Sequence, residues 1–391
     1  MPVSWSYDRF PLSRVYHKTA PVRTYPIEIV IDDFGLVRIK EPISASLLAS
    51  SIEWLSETEP TSHYDIAVSM ITTHLKAIPI SCLSISYRDR EFLDLLETKT
   101  RIQNSMVWFD RYKDSAGNII RIECCQEKLS EPGCFQGLKS FAPNLILANR
   151  ILHHTAKLDV ALENLYSCLS NDGFLLVEIP DCSRSFLNLD YTVIFEEHNV
   201  YFTEQSLTNA LIRSGFRLVA SLRVSDIAED SITVLAQKVD GLQNNQTPTN
   251  FDVDRDLFNN FCTEYPTKVG LFRRNLYDLS QEKTIILYGS GHHAACFVAA
   301  YQCVDLIDFV VDDDARRIDF SLPGSELQIR NTKDVFDLIL REKSKDVLIL
   351  LAVSQIHMDR VQKKIKKQLH QLNVAVVHIS NIRDLEGITG G

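Results

Sequence analysis

The chain has 391 residues, of which 45% are apolar and 24% are charged, and its formal net charge at pH 7 is −10. This length corresponds to about two or three domains, and the composition is ordinary for proteins with buried cores. The acidic balance excludes a protein that binds nucleic acids through their phosphate backbones, because such binding depends on a basic surface. We therefore expect a small-molecule partner and no nucleic acid.

Two features lead us to expect a cytoplasmic protein that does not enter membranes. The first ten residues, MPVSWSYDRF, have no apolar stretch behind a basic start, and no later apolar run reaches the ~18 residues that cross a bilayer. The nine cysteines are odd in number, scattered and without a Cys-x-x-Cys pair, which indicates neither a disulfide framework nor a zinc site. We expect buried, reduced thiols and no metal ion.

Residues 1–62 and 63–240 are predicted to be a small N-terminal segment and an α/β domain. In the segment, stretches 25–31 and 36–39 predict two strands joined by an Asp-Asp-Phe-Gly turn, and residues 44–57 predict a helix. The domain alternates strands with helices, which indicates a parallel sheet, and its last two strands have no helix between them, which indicates an antiparallel edge. Its predicted strands are 82–86, 105–109, 118–125, 144–149, 174–180, 216–224 and 231–239, and its predicted helices are 90–98, 158–169 and 204–215.

Residues 241–281 are predicted to be a linker and a helix, and residues 282–391 a second, smaller Rossmann-like α/β domain. The boundary follows from the polar, Asn- and Gln-rich stretch 239–256. Pro266 is expected to kink or split the helix. Strands are predicted at 284–289, 306–312, 346–353 and 374–380, with helices after the first and the third.

The second domain contains a glycine pattern that is typical of phosphate-binding turns. Gly289, Gly291 and Ala294 follow an apolar strand and open a helix, and Asp312 ends the next strand. Glycines permit close backbone approach, the helix N-terminus attracts phosphate, and the acid can hold a ribose hydroxyl. This predicts a dinucleotide site; the alternative is a turn that only packs a helix on a strand.

Polar side chains also follow the strands of the first domain. The turn after strand 82–86 reads YRDRE and lacks glycine, so a ligand there cannot rest on bare backbone. Asp110, at the end of the next strand, can accept hydrogen bonds from ribose hydroxyls or be an exposed aspartate before a turn. Further along, two pairs lie where α/β folds bind ligands, or else are ordinary polar surface: His153 with His154, and Glu178 with Asp181.

The stretch 195–207, FEEHNVYFTEQSL, is the strongest catalytic candidate. A neutral His198 can accept a proton, and Glu197 can orient the ring or stabilise its charged form. Tyr201 shares a face with His198 if this stretch is a helical turn. The alternative is a polar helix start with Thr203 as N-cap. We favour a catalytic role, because capping requires neither an imidazole nor this aromatic content.

Several stretches together resemble the sugar C-methyltransferases. Residues 149–181 resemble the fourth strand, helix and fifth strand of their central domain. Residues 196–207 resemble the Glu-His-x-x-Tyr-Phe segment that supplies their proposed base, and residues 287–297 with 306–329 resemble the start of their C-terminal domain. The resemblance implies an α/β fold with a class I methyltransferase-like Rossmann domain, a second Rossmann-like domain and a small N-terminal β-containing segment.

The resemblance also implies a function: methyl transfer from S-adenosylmethionine to a carbon of a nucleotide-linked sugar or a similar small metabolite, with a homodimer as a further expected partner. His198 is then the base, Glu197 tunes it, and Tyr201 binds the substrate or its enolate oxygen. The residues bordering the donor are Asp110, Asn149 and His153. Those on the substrate side are Glu178, Asp181, Gly289, Gly291, His292 and His293.

Two departures from the family pattern keep other functions open. Ile31 and Phe34 stand where the N-terminal zinc knuckle has cysteines, so no zinc is expected there. The sequence SYRDRE replaces the glycine-rich first cofactor loop. The remaining alternatives are a dinucleotide-dependent oxidoreductase that uses Gly289, Gly291, Ala294 and Asp312, and a degenerate, non-catalytic relative.

Overall fold

The computed structural model contains three β-sheets flanked by helices. It describes residues 3–18, 22–48, 61–75, 78–109, 122–138, 140–226, 229–239, 251–342 and 346–384. Among the helices of these ranges, none combines the length and the apolar character needed to cross a membrane.

The N-terminal sheet has four antiparallel strands in the order β1-β2-β3-β8. The predicted strand pair is confirmed, and its turn is held by Asp32, whose Oδ1 accepts from the backbone N of Phe34 (2.9 Å) and of Leu36 (3.0 Å). Of the helix predicted at 44–57, four residues are helical, and residues 49–57 lie outside the described ranges. The elements are β1 (Ser4–Pro11), β2 (Thr24–Ile31), β3 (Val37–Ile39), β8 (Val200–Tyr201) and α1 (Ala45–Leu48).

The central sheet has the strand order β5-β4-β6-β7-β10-β9, and every strand is parallel to the others except β10. The predicted parallel sheet with an antiparallel pair at one edge is confirmed. Its strands are β4 (Ile80–Ser86), β5 (Ile102–Phe109), β6 (Leu145–Asn149), β7 (Phe174–Pro180), β9 (Phe216–Val224) and β10 (Ser231–Lys238). Its helices are α2 (Tyr64–His74), α3 (Arg90–Lys99), α4 (Ile122–Leu129), α5 (Leu158–Cys168), α6 (Ser183–Asn188) and α7 (Glu204–Arg213).

The strand predicted at 118–125 is wrong, because its described residues begin helix α4. Cys125 and Leu129, four positions apart, are both buried in the core on one side of the sheet. This spacing gives one apolar helix face. Burial of that face favours a helix here, although the β-branched residues of the run favour a strand.

The C-terminal sheet is parallel, with the strand order β13-β12-β11-β14-β15, so the predicted second parallel sheet is present. The sequence does not predict the short strand β13, because three residues carry too little periodicity. The strands are β11 (Lys283–Tyr288), β12 (Phe309–Asp312), β13 (Ile329–Asn331), β14 (Asp346–Leu351) and β15 (Val374–His378). The helices are α8 (Asp252–Glu282), α9 (His292–Ala300), α10 (Thr332–Glu342) and α11 (Met358–Gln368).

Helix α8 runs through Pro266 as one helix, so of the expected kink or split the split is wrong. One face of the helix is buried over its whole length, and this packing offsets the hydrogen bond that proline removes. Tyr265 contacts Trp5 of β1 (ring centroids 5.3 Å apart), and Phe272 contacts Phe297 of α9 (5.7 Å). The N-terminal sheet and the C-terminal domain therefore share one hydrophobic core along this helix.

Residues 12–17, which we call the strap, connect the N-terminal sheet to the rest of the molecule. The backbone N and Oγ of Ser13 donate to Oε1 of Glu196 at 2.6 and 2.8 Å. The hydroxyl of Tyr16 donates to the carbonyl of Ser290 at 2.7 Å, just before α9. The strap thus contacts both the 195–201 segment and the C-terminal domain.

The strap predicts a measurable stability effect. Tyr16→Phe leaves the buried carbonyl of Ser290 without this donor, so we expect the free energy of unfolding to fall by about 1–2 kcal/mol. Tyr277→Phe, at an exposed position, is the control and should cost much less. Urea denaturation of both variants tests this, and equal effects would contradict the role given to the strap.

Candidate active site

Three imidazoles meet where the strands of the central sheet end. His153 and His154 lie in the 3-10 turn Leu152–His154 after β6, and His198 lies just before β8. The ring centroids of His153 and His154 are 3.9 Å apart, and the His198 ring is 4.9 Å from each of them. The structure therefore brings together two predicted site residues, His153 and His198, from positions 45 residues apart (198 − 153).

The other side of this cluster faces the C-terminal domain. The Phe195 ring lies 4.9 Å from His198 and also contacts His292 (5.3 Å) and His293 (5.1 Å) in the first turn of α9. His198 and His292 are partly exposed and His293 is exposed, although each is surrounded by protein on several sides. These residues therefore lie where the two α/β domains meet, and the rings of His198, His292 and His293 reach solvent there; we call this place the cleft.

The imidazoles of this cleft are uncharged at neutral pH. Burial lowers the pKa of His153, His154 and His198 well below its usual range, and neighbouring imidazoles lower the pKa of His153 and of His198 further. Nδ1 of His154 lies 2.9 Å from the carbonyl of Glu197. A carbonyl only accepts, so this Nδ1 carries the proton and the lone pair of His154 is on Nε2.

The two glutamates of the stretch 195–207 have different roles. Glu196 is buried, accepts from Ser13, and has its Oε2 3.7 Å from the thiol of Cys296 in α9. Burial and the neighbouring Glu197 raise the pKa of Glu196 to about 7. Glu197 forms an ion pair with Arg14 of the strap at 2.9 Å, directly beside His198. Glu196 is thus a structural residue, and Glu197 and Arg14 border the cleft.

The sequence suggests that Tyr201 and His198 share a face of a helical turn. Tyr201 lies instead in strand β8. Its ring is 1% exposed, and its hydroxyl donates to the carbonyl of Phe195 (2.9 Å) and accepts from the Phe195 backbone N (3.2 Å). Because both hydrogen-bonding directions are used, Tyr201 holds the 195–201 segment together and offers no hydroxyl to the cleft. Thr203 is the N-cap of α7, as predicted, with its Oγ1 3.0 Å from the backbone N of Ser206.

The turn after β4 is closed by side chains instead of glycines. Asp89 accepts from the backbone N of Ser86 (3.1 Å) and of Asn149 (3.0 Å), and so joins the ends of β4 and β6. Burial raises the pKa of Asp89 to about 8. Arg88 donates to the carbonyl of Arg150 at 3.3 Å. The arginine and the aspartate of this turn therefore close it.

The two acids predicted at the ends of β7 and its loop are engaged in ion pairs. Glu178 is 1% exposed and contacts Arg150 (3.0 Å) and His63 (2.9 Å). Asp181 accepts from the Ser183 backbone N at 2.9 Å and contacts Arg223 at 2.6 Å. Buried carboxylates need such compensation. In this arrangement they organise the rim of the sheet and are not directed at the histidines.

Unpaired polar atoms mark the end of β6. Asn149 is 2% exposed, and neither its Nδ2 nor its Oδ1 has a partner among the described residues. The same is true of Nδ1 of His153. Buried polar groups are nearly always paired, so these atoms indicate a place where a ligand or water binds. Asp110, the third residue predicted to border the methyl donor, lies outside the described ranges.

The glycine loop of the second domain is used for packing. A Cβ on Gly289, whose φ is +97°, would lie 2.6 Å from the carbonyl of Ala352, which directly follows β14. Asp312 accepts from the backbone N (2.8 Å) and Oγ (2.6 Å) of Ser290 and contacts Arg317 (3.1 Å). The acid expected to hold a ribose thus closes the loop that precedes α9, which favours the packing alternative over a dinucleotide site.

Comparison with known proteins bears on the central domain. A methyltransferase-domain family matches residues 47–221, which include the histidine cluster. No curated protein matches the chain. The domain has a class I methyltransferase-like Rossmann fold, which confirms the predicted fold class, and such a domain implies S-adenosylmethionine as the cofactor. The C-terminal domain lies outside the matched residues.

Three solved structures illustrate the similarity, each below 0.35 in TM-score. The chain is 15% identical to 1,6-didemethyltoxoflavin-N1-methyltransferase of Burkholderia thailandensis, solved with S-adenosylhomocysteine, over 46% of this chain and 79% of that one (TM-score 0.31). The chain is 13% identical to the N-methyltransferase NodS of Bradyrhizobium japonicum WM9, also solved with S-adenosylhomocysteine, over 45% of this chain and 87% of that one (TM-score 0.30). The chain is 14% identical to the CurJ carbon methyltransferase over 45% of this chain and 54% of that one (TM-score 0.33), so it spans about half of that protein.

The buried carboxyl of Asp89 predicts a pH effect on stability. Its pKa is about 8 in the folded chain, against the ordinary aspartate value of 3.8 that applies once the chain unfolds. Between these values the folded state keeps a proton that the unfolded state has lost, so the free energy of unfolding falls as pH rises, by at most about 1.4 kcal/mol per pH unit.

Asp89→Asn removes this titration, and we expect a shallower slope between pH 4 and pH 8 even where the variant is less stable overall. Urea denaturation at several pH values measures the slope. Asp94→Asn, on the exposed part of α3, is the control and should keep the wild-type slope. An unchanged slope in Asp89→Asn would contradict the raised pKa.

Proposed function

We propose that the chain is an S-adenosylmethionine-dependent C-methyltransferase that acts on a nucleotide-linked sugar or a similar small metabolite, with His198 as the general base. One observation carries the proposal. The partly exposed His198 ring is packed among His153, His154 and Phe195, while its nitrogens have no hydrogen-bond partner among the described residues. An oriented imidazole with an available lone pair suits proton abstraction.

The charged neighbours of His198 support its assignment as the proton acceptor. The uncharged His198 takes a proton from a carbon beside a carbonyl, and the resulting imidazolium lies next to the Glu197 carboxylate, which favours the charged ring. Arg14 holds that carboxylate in place at 2.9 Å. The base and its stabilising acid are thus fixed by a contact with the strap.

The donor site is supported by the unpaired atoms at the end of β6. Asn149 and His153 offer buried donors and acceptors that suit the polar groups of S-adenosylmethionine. The donor supplies an electrophilic methyl group to the carbon that has lost its proton. Because Asp89 and Arg88 close the turn after β4, side chains must hold the donor where the sugar C-methyltransferases that the sequence resembles have a glycine-rich loop.

The substrate side is assigned to the start of α9. Gly291 is the N-cap of this helix, and His292 and His293 follow it at the cleft. Helix N-termini attract phosphate groups, and a nucleotide-linked sugar carries such groups. Gly289 contributes by setting the turn that aims the helix at the cleft.

Proton abstraction can be tested without the donor. A keto-sugar nucleotide in D2O should exchange the hydrogen beside its carbonyl, observed by NMR, when the wild-type protein is added. We expect His198→Asn to slow this exchange by about 10²–10⁴-fold, the usual contribution of a general base. His370→Asn, at an exposed position, should exchange at the wild-type rate.

Two further outcomes separate this function from the alternatives. Exchange by His198→Asn at the wild-type rate would contradict the base assignment. The closed Tyr87–Asp89 turn is the one observation that favours a non-catalytic relative. Calorimetry with S-adenosylmethionine decides this point, because a folded wild-type chain that releases no heat on addition of the donor is not a methyltransferase.

A further inference from the structure

The cluster of His153, His154 and His198 has a second chemical capacity. One atom from each residue can be chosen so that all three lie within 4.8 Å of one another. Within the described ranges this is the one such grouping of three or more His, Cys, Asp or Glu residues. We propose that these three imidazoles form a binding site for a divalent transition metal ion of the zinc type.

Nε2 of His154 has the protonation state that a metal ion requires. Its Nδ1 donates to the carbonyl of Glu197, which leaves Nε2 as the free donor atom. The backbone carbonyl of His154 accepts from Nδ2 of Asn199 at 2.6 Å, which fixes the turn. A histidine ligand that donates its other N–H to a backbone carbonyl is the usual arrangement around protein-bound zinc.

The other two rings can complete the set with small movements. Tetrahedral zinc with Zn–N distances of about 2.1 Å requires nitrogens about 3.4 Å apart. The nitrogens lie within 4.8 Å of one another, so a separation has to shrink by about 1.4 Å at most. The His198 ring is partly exposed and its nitrogens have no hydrogen-bond partner among the described residues, so a small shift of the ring breaks no hydrogen bond. His153 keeps an unpaired Nδ1 on a side chain that is only 4% exposed, a group that gains by binding.

The donor set selects the class of ion. Three neutral nitrogens without a free carboxylate suit Zn²⁺, Co²⁺, Ni²⁺ and Cu²⁺, whereas Mg²⁺ and Ca²⁺ require oxygen ligands. The carboxylate of the neighbouring residue, Glu197, is held by Arg14. Three protein ligands leave a fourth position for water or a ligand, as in catalytic zinc sites.

Two of the three guanidinium groups near the cluster are compensated by acids. Arg14 is paired with Glu197, and Arg150 is paired with Glu178 and Glu229, whereas Arg88 donates to the carbonyl of Arg150. The two paired groups therefore repel a bound cation less than isolated charges would.

The site has a consequence for the proposed function, although metal binding itself does not rest on it. A bound ion occupies the lone pair with which His198 would accept a proton. Ion and substrate therefore exclude each other, and zinc should inhibit hydrogen exchange and methyl transfer, while a chelator should restore them.

Cobalt titration of the untagged full-length chain tests the site directly. We expect one Co²⁺ per chain, with the visible absorption of a four-coordinate site and without the charge-transfer band that thiolate ligation would add. Loss of a group that only hydrogen-bonds to a metal ligand weakens metal binding about 10- to 100-fold. His153→Ala and His198→Ala, which each remove a ligand, should weaken Co²⁺ binding by more than this. His357→Ala, at an exposed position, should leave binding unchanged.

Folding and function are controlled separately. Circular dichroism must show that each variant keeps the wild-type fold, and the exchange assay is run with a chelator present, so that it reports on the proposed function alone. Absence of stoichiometric Co²⁺ binding to the folded wild type, or wild-type affinity in the His153 and His198 variants, would overturn the metal site. Neither result would affect the exchange assay.

Discussion

The buried hydrogen bonds between Ser13 and Glu196 are the constraint on which the site depends. They join residues 183 positions apart, at 2.6 and 2.8 Å. Glu196 also reaches Cys296 in α9, so one carboxyl group connects the strap, the 195–201 segment and the C-terminal domain. Because an unpaired buried carboxyl group is costly, the three parts are held in one arrangement. That arrangement creates the cleft beside the next two residues, Glu197 and His198.

The 195–201 segment is fixed at both ends, which gives His198 its orientation. Tyr201 binds back to Phe195, and β8 pairs with β3 of the N-terminal sheet. Thr203 then starts α7. A catalytic or metal-binding side chain requires such support, because an error of about 0.5 Å in the first contacts is enough to impair a site. The stretch is therefore polar and aromatic for two reasons: part of it is structural, and part faces the cleft.

Local sequence patterns are sufficient for much of this architecture. Apolar periodicity predicts both Rossmann-like sheets, and the position of residues after strand ends predicts that His153 and His154 lie at the tips. His198 is a candidate only through the chemistry of the stretch 195–207. The patterns fail where the deciding contact is distant. Asp89 closes a turn by reaching Asn149, and Ser13 and Arg14 meet the glutamates only through the fold. Local spacing carries no signal for such contacts, and it also predicts a strand where α4 begins.

The same reasoning explains why the sequence divides the site residues incorrectly. Glu178, Asp181 and Tyr201 have the chemistry of functional groups, but each is used by a structural partner that the sequence does not reveal. Glu196, which lies in a polar run of the sequence, is the buried connection. A partner elsewhere in the fold, more than residue type, separates the two roles.

A double-mutant cycle between Ser13→Ala and Glu196→Ala is the most direct test of this account, with free energies of unfolding measured in urea. The two changes should not add, and we expect a coupling energy of about 1 kcal/mol or more, as found for residues in direct contact. Ser69→Ala with Glu196→Ala, a pair without contact, should add within about 0.5 kcal/mol. Additivity of the Ser13 and Glu196 changes would contradict the central role of their hydrogen bonds.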